Sequence, residues 1–212
     1  MKSELADRLV VGLRELGEDP TSHPCERYLQ YIELLRKWNR AYNLTAVREP
    51  EQILGRHVLD SLSILPYVHS GDCLDVGSGA GLPGLILALA RPADRWLLLD
   101  SNGKKVRFLE QAIMELGCRN AEAVQSRIED FETERRFSSI VSRALGSLEE
   151  FSGTARLLAD GGVLLAMKGP DPGREIPAGL RRKMRVEVHT LAVPGADSPR
   201  TLVVLRPPGQ TD

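Results

Sequence analysis

The residues Leu74-Asp75-Val76-Gly77-Ser78-Gly79-Ala80-Gly81-Leu82-Pro83-Gly84 carry the clearest chemical pattern in this chain. An apolar run rises to a carboxylate, breaks into alternating glycines and turns helical. Glycine has no Cβ, so backbone at such a turn can approach a ligand closely. A second apolar run, Trp96-Leu97-Leu98-Leu99, closes on Asp100, twenty-three positions after Gly77. A carboxylate at the tip of a second strand, at about that spacing, is placed to accept from two ribose hydroxyls. The loop, Asp75 and Asp100 together point to an adenosine-containing cofactor.

The glycine spacing selects among such cofactors. A dinucleotide loop reads G-x-G-x-x-G, which would put glycine at position 82. Leu82 stands there, and the third glycine is Gly81. The loop instead reads G-x-G-x-G with an acid, Asp75, two positions before it, as in class I S-adenosylmethionine enzymes. A bare strand-to-helix turn has little use for three glycines and flanking carboxylates. A further element is Gln125-Ser126-Arg127-Ile128-Glu129-Asp130. There Ile128 is able to pack on an adenine face while a polar neighbour reads its amino edge. The same residues also read as a plain helix start, with Ser126 as N-cap and Glu129 completing a capping box.

These residues need a scaffold, and the apolar pattern supplies one. Residues 1–66 read as a helical extension packed on the core. Leu5, Leu9, Leu13 and Leu16 form a helical stripe stopped by Gly17; Leu29, Ile32, Leu35 and Trp38 form a second; Pro50 opens a third helix that Pro66 ends. Residues 67–212 read as an α/β domain. Cys73–Val76, Trp96–Leu99, Ala121–Val124, Ser139–Ser142 and Val163–Met167 suit buried parallel strands, with helices expected at Leu82–Ala90, Lys104–Leu116 and Leu148–Leu158. Val186–Val193 and Thr201–Arg206, joined by the short stretch Pro194-Gly195-Ala196-Asp197-Ser198-Pro199, read as an antiparallel hairpin. Five parallel strands ending in such a hairpin are a Rossmann-like class I methyltransferase sheet, not a typical dehydrogenase.

Composition narrows the setting. The chain has 212 residues, enough for one α/β domain and a small extension, and its 42% hydrophobic and 27% charged content is that of a globular protein. No apolar run reaches membrane-spanning length, and the acidic N-terminus does not read as a secretory signal, so a cytoplasmic location is expected. The three cysteines, Cys25, Cys73 and Cys118, have no metal or redox spacing and read as packing residues. No metal site is expected. The formal net charge is −1, yet residues 168–206 hold eight basic and four acidic side chains, including Arg181-Arg182-Lys183-Met184-Arg185. That run reads equally as one side of a polyanion-binding face or as a solvated helix end. Lys168, after a buried strand and before Gly169-Pro170, is a better phosphate candidate than Arg36, Lys37 and Arg40, which also suit a helix C-terminus.

Further motifs occur in order: Tyr42-Asn43-Leu44-Thr45-Ala46, Arg56-His57-Val58-Leu59-Asp60-Ser61-Leu62, the glycine loop, Leu99-Asp100-Ser101, Lys104-Lys105-Val106-Arg107-Phe108-Leu109, Val124-Gln125-Ser126-Arg127, Ser142-Arg143-Ala144 and Met167-Lys168-Gly169. Through them the chain, from about Tyr28 to Arg206, resembles the bacterial small-subunit ribosomal RNA methyltransferase G family, also called glucose-inhibited division protein B. The resemblance implies methyl transfer from S-adenosylmethionine to N7 of guanine 527, in the 530 loop of 16S rRNA. It implies that Gly77 and Leu82 line the cofactor, with Asp75, Gly79 and Asp100 also on the cofactor side. Ile128 and Glu129 would flank the adenine, and Arg143 would sit at the fourth strand's tip beside the methyl donor. Lys168 and Arg200 resemble the family's basic residues on the RNA side. Val58 stands where the family often has an aromatic, and Ser78 and Ala80 where Thr and Pro are frequent. The implied partner is 16S rRNA within the small ribosomal subunit or its assembly precursor, with no membrane and a monomeric enzyme.

Guanine N7 carries an in-plane lone pair and no proton at neutral pH, so it attacks a sulfonium methyl without a general base. The chain accordingly shows no convincing Ser-His-Asp or Cys-His set. Rate must come from positioning and electrostatics, with Arg143 and Lys168 as the catalytic candidates. Tyr42 and Phe151 are stacking candidates with core packing as the plainer reading, and His57 reads first as a hydrogen-bonded helix residue. Rival readings are transfer to another RNA or to a protein, a non-catalytic sensor of the cofactor, and a nicotinamide enzyme, the last disfavoured by Leu82 and the hairpin.

Overall fold

The computed structural model describes residues 2–143, 146–170, 176–196 and 198–208. Ala144 of the Ser142-Arg143-Ala144 motif and Asp197 of the expected tail turn lie outside the described residues. β1 (Asp72–Val76), β2 (Arg95–Asp100), β3 (Ala121–Gln125), β4 (Phe137–Ser142), β5 (Leu158–Lys168), β6 (Arg185–Leu191) and β7 (Arg200–Arg206) form one sheet in the order β3-β2-β1-β4-β5-β7-β6. The first five strands pair in parallel. β7 runs antiparallel to both β5 and β6, so the hairpin's second strand is the one that joins the sheet. The interior strands are near-continuous apolar runs because both faces are covered: Leu74, Leu98, Ile140 and Leu165 are fully buried.

The helices before the sheet follow their stripes. α1 (Lys2–Glu15) buries Leu9 and Leu13. Gly17 ends it at φ 80°, with Glu18 N donating to Leu13 O at 2.9 Å and Gly17 N to Arg14 O at 3.0 Å, a Schellman turn. α2 (Cys25–Tyr42) buries Tyr28, Tyr31, Ile32 and Leu35 and ends at Asn43, itself left-handed at φ 50°. The third helical segment is not uniform. α3 (Pro50–Ile53) widens into a π-helical turn at Leu54–Leu59 before α4 (Asp60–Leu62). One hydrophobic cluster contains residues of α1, α2 and this segment together with Leu85, Trp96 and Leu165, so the extension shares its core with one face of the sheet.

Two expected helices are shorter than their patterns. α5 (Gly84–Ala90) starts at Gly84 and not at Leu82, with Pro83 as its N-cap residue. α6 (Gly103–Glu115) matches its pattern, with Asn102 accepting from Lys104 N as the cap. α7 (Leu148–Ser152) opens on a Ser147/Glu150 capping box and passes into a 3-10 turn at Gly153–Leu157. α8 (Leu180–Lys183) precedes β6.

That last connection relocates the basic run. β6 is parallel to β5, and its first residue, Arg185, pairs with Arg206 at the end of β7 that lies beside the early part of β5. Arg181, Arg182, Lys183 and Arg185 are exposed, at the sheet edge opposite the tips of β4 and β5. The run therefore does not share a face with Lys168 and Arg200.

Candidate active site

The strand order turns at β1, with β2 on one side and β4 on the other, and that switch opens a crevice at the strands' C-terminal tips. Two cavities occupy it. The first, of ≈ 290 Å³, is lined by Val76 and Gly77 after β1, Leu99, Asp100, Ser101 and Lys105 around β2, and Ser126 to Glu129 after β3. The second, of ≈ 340 Å³, is lined by Arg143 after β4, Met167 to Gly169 at the end of β5, Arg200 and Thr201 on β7, and Val47, Arg56, His57 and Asp60 of the extension.

The first cavity rests on the glycine loop. Gly77, Gly79 and Gly81 have φ of 73°, 59° and 85°, the left-handed region that a side chain resists. Gly77 N and Ser78 N both donate to Leu99 O, at 2.8 and 3.0 Å, pinning the loop to the tip of β2. Asp75 is fully buried beneath it; its Oδ2 accepts from Ser78 Oγ at 2.6 Å and Gly84 N at 2.9 Å. A Cβ on Gly84 would come within 2.6 Å of that carboxylate, so glycine there lets the helix start reach it. Among the described residues, no donor meets Asp75 Oδ1. Burial raises the Asp75 carboxyl to about 6, against the pull of its hydrogen bonds to Ser78 and Gly84. Asp100 Oδ2 accepts from Gly79 N at 2.9 Å and lies 3.6 Å from Lys105 Nζ, while Oδ1 accepts from Asn102 N at 2.9 Å. From outside, Tyr31 of α2 donates its buried hydroxyl to Ala80 O at 2.8 Å.

The second cavity is organised around one buried carboxylate. Asp60 Oδ2 lies 3.5 Å from Arg143 NH1, and Oδ1 lies 3.2 Å from Arg200 Nε, an ion pair outside hydrogen-bond alignment. Burial raises the Asp60 carboxyl, and the two guanidiniums partly offset this. Arg143 NH1 also donates to Arg56 O at 3.0 Å. His57 Nδ1 is 2.8 Å from the same carbonyl and Nε2 is 2.8 Å from Thr45 Oγ1. Arg143 NH1 lies 3.2 Å from Nδ1 as well, so the Arg56 carbonyl, the Arg143 guanidinium and the Thr45 hydroxyl all meet the ring nitrogens. Burial, and the nearby Arg143, lower His57 to about 4, which keeps the ring neutral at pH 7. Lys168 Nζ donates to Gly146 O at 3.2 Å. Arg56, Arg143, Lys168 and Arg200 thus line the cavity with one carboxylate, Asp60, among the described residues, and the lining is net cationic.

With this geometry in hand, the comparisons decide the family. The GidB family model, described as rRNA small subunit methyltransferase G, matches residues 24–203. A Pseudomonas aeruginosa protein named ribosomal RNA small subunit methyltransferase G is 51% identical over 204 residues, covering 95% of each chain. A protein of the same name from Methylococcus capsulatus is 47% identical, covering 94% of this chain and 97% of its own. The chain belongs to this family. Among solved structures, a DhpI–SAH complex superposes at a TM-score of 0.59 with 17% identity, over 86% of this chain and 96% of that one. A SAM dependent methyltransferase from Aquifex aeolicus gives 0.53 with 16% identity, over 80% and 96%. Those two show the fold: a class I methyltransferase sheet.

In this member of the GidB family, the sequence-derived candidates separate into three groups. Gly77, Asp100, Ile128 and Glu129 line the first cavity. Arg143, Lys168 and Arg200, far apart in the chain, meet at the second. Asp75, Gly79 and Leu82 belong to the loop but do not line either cavity; Asp75 and Leu82 are buried and Gly79 N is bonded to Asp100. Residues 128–130 form a turn and no helix starts there, so Ser126 is not an N-cap; Arg156 holds the turn through Ile128 O and Phe131 O. Phe151 is core, and Tyr42 packs on Trp38 with centroids 5.0 Å apart. Sequence reasoning passed over Asp60 and Arg56. Their spacing of four gave a signal, since both lie in one motif with His57, but the π turn that orients them leaves no trace in apolar periodicity.

Proposed function

We propose that the enzyme transfers a methyl group from S-adenosylmethionine to N7 of guanine 527, in the 530 loop of 16S rRNA. The observation that carries this reading is the pairing of two unlike cavities at one strand switch, one balanced in charge with Asp100 and Glu129 beside Lys105 and Arg127, the other lined by four cations and one carboxylate. The names of the relatives at 51% and 47% identity support the ribosomal substrate.

The residues of the first cavity fit the donor. Asp100 supplies acceptors for the ribose hydroxyls, Ile128 an apolar face for adenine, and Glu129 a polar neighbour for its edge. Asp75 Oδ1, which no donor among the described residues meets, is a further buried acceptor under the loop. Leu82 and Gly79 shape that loop. When bound, S-adenosylmethionine supplies an electrophilic methyl group on a sulfonium.

The second cavity fits a polyanion carrying a purine. Guanine N7 brings its own lone pair, so no base is required, and the neutral His57 has both ring nitrogens engaged in holding Arg143's surroundings. A cation against N7 would oppose the positive charge that moves onto the base. Arg143 and Lys168 therefore act on guanine O6 or a phosphate, and Arg200 on the RNA backbone. In this reading residues 1–66 supply the acceptor-side wall and residues 67–212 the methyltransferase domain, acting as a monomer in the cytoplasm on the small subunit or its precursor.

The test is transfer of labelled methyl from S-adenosylmethionine to small subunits from a strain lacking this gene, with the modified nucleotide mapped. Label as 7-methylguanine in the 530 loop is expected. Label on a ribosomal protein, on another RNA, or on nothing sinks the reading.

A further inference from the structure

A third cavity, of ≈ 330 Å³, opens on the helical extension between Arg36, Asn39, Arg40, Asn43, Arg48 and Glu49. Three guanidiniums share it with one carboxylate. Among the described residues, no hydrogen bond or ion pair engages Arg36, Arg40 or Arg48. The C-terminal dipole of α2 accounts for Arg40, in its last turn, but not for Arg36 or for Arg48, which arrives from the following segment and lines the same hollow.

That segment is also the wall of the acceptor cavity. Val47 lines the cationic cavity beside Arg143, and its neighbour Arg48 lines this one. The wall is held rigidly. Asn39 Nδ2 donates to Thr45 O and Asn39 Oδ1 accepts from Thr45 N, both at 2.9 Å. Thr45 Oγ1 in turn meets His57 Nε2 at 2.8 Å, on the side where Arg56 O receives Arg143. Two cationic hollows therefore lie back to back across residues 43–49, in fixed relation.

From this placement we propose that Arg36, Arg40 and Arg48 form a second, phosphodiester-binding subsite. It grips the RNA backbone flanking the nucleotide whose base enters the Arg143–Lys168 cavity. Guanidiniums match phosphate geometry, and a polar hollow with little apolar surface reads charge rather than base identity. A single-stranded substrate with one base splayed into a pocket must leave its neighbouring phosphates outside, and this cationic hollow adjoins that pocket through Val47 and Arg48. The inference rests on the RNA reading above.

The test compares wild type with an Arg36→Gln/Arg40→Gln/Arg48→Gln variant and the corresponding triple Lys variant. Small-subunit affinity is followed against salt, with KM and kcat for methyl transfer, and S-adenosylhomocysteine binding reports the fold. The Gln variant is expected to raise KM by on the order of tenfold and to flatten the log–log salt slope by about 2, at ~0.7 per single-strand phosphate contact. Its kcat and S-adenosylhomocysteine affinity stay at the wild-type level, and the Lys variant recovers the slope. If the triple Gln variant does not fold, Arg48→Gln alone, outside the helix, flattens the slope by roughly 0.7. An unchanged KM and slope, with wild type active on the small subunit, overturns the subsite and leaves the RNA reading standing. A wild type with no RNA methylation and no salt-dependent binding overturns both.

Discussion

The two cavities, which the proposed function reads as donor side and acceptor side, share one sheet edge and are built in different ways. The donor side is made of short stretches that each follow their own strand, 76–77, 99–105 and 126–129, and its backbone does much of the holding. The acceptor side is gathered from the extension, β4, β5 and β7, and its side chains are fixed by charge around buried Asp60. A backbone-built site needs glycine and a carboxylate at set spacings. A charge-built site needs only that distant elements arrive together, and it leaves no spacing rule behind.

Breaking the charge-built side has the largest effect. Arg143→Ala is expected to lower kcat on the order of 10²–10³-fold, the cost of one preorganised electrostatic group, with less than a tenfold change in donor affinity. Single-turnover kinetics and donor titration measure the two separately; near-normal turnover removes Arg143 from the chemistry.

Buried groups of both sites also shape the pH response, the carboxylates with one sign and His57 with the other. Asp75, raised to about 6, binds its proton more tightly in the folded state, so its contribution to stability is present below about pH 4 and is lost as pH rises towards 6. Asp60, raised by burial, adds in that direction. His57, lowered to about 4, stabilises above its ordinary 6.5, and that contribution is lost as pH falls towards 4. Between pH 6.5 and 4.5, Asp75→Asn is expected to lose stability more steeply than wild type, and His57→Gln less steeply. Each change amounts to roughly 2–3 kcal/mol across the full window. Denaturant melts at both pH values read this, and parallel slopes would mean that neither group titrates as its burial requires.

Asp100→Ala is next. Losing an acceptor for two ribose hydroxyls weakens donor binding about 10–100-fold, with the acceptor KM held. Calorimetric titration checks it, and unchanged donor affinity would move the ribose elsewhere. Lys168→Gln is the smallest, flattening the salt slope of small-subunit binding by roughly 0.7.

The same contrast governs what was legible in the sequence. The strands followed from short apolar runs and the glycine loop from its spacing, because both are local properties, but Ala121–Val124, expected to be buried, is a partly exposed edge strand. The start of α5 did not follow, since Pro83 is its N-cap residue and the helix begins at Gly84. Lys168 was readable from its place after a buried strand. Asp60 was not, because its role appears only where Arg143 and Arg200 reach it from β4 and β7. The run Arg181–Arg185 suggested a polyanion face, and only the direction of β6 shows it at the far edge.

The central claim is that donor and acceptor are held by separate, unlike halves. The most direct measurement takes Asp100→Ala and Lys168→Gln side by side, with donor affinity and small-subunit affinity determined for each. The account predicts a crossed result: Asp100→Ala loses donor affinity alone, and Lys168→Gln loses small-subunit affinity alone. Both variants losing the same ligand would contradict it.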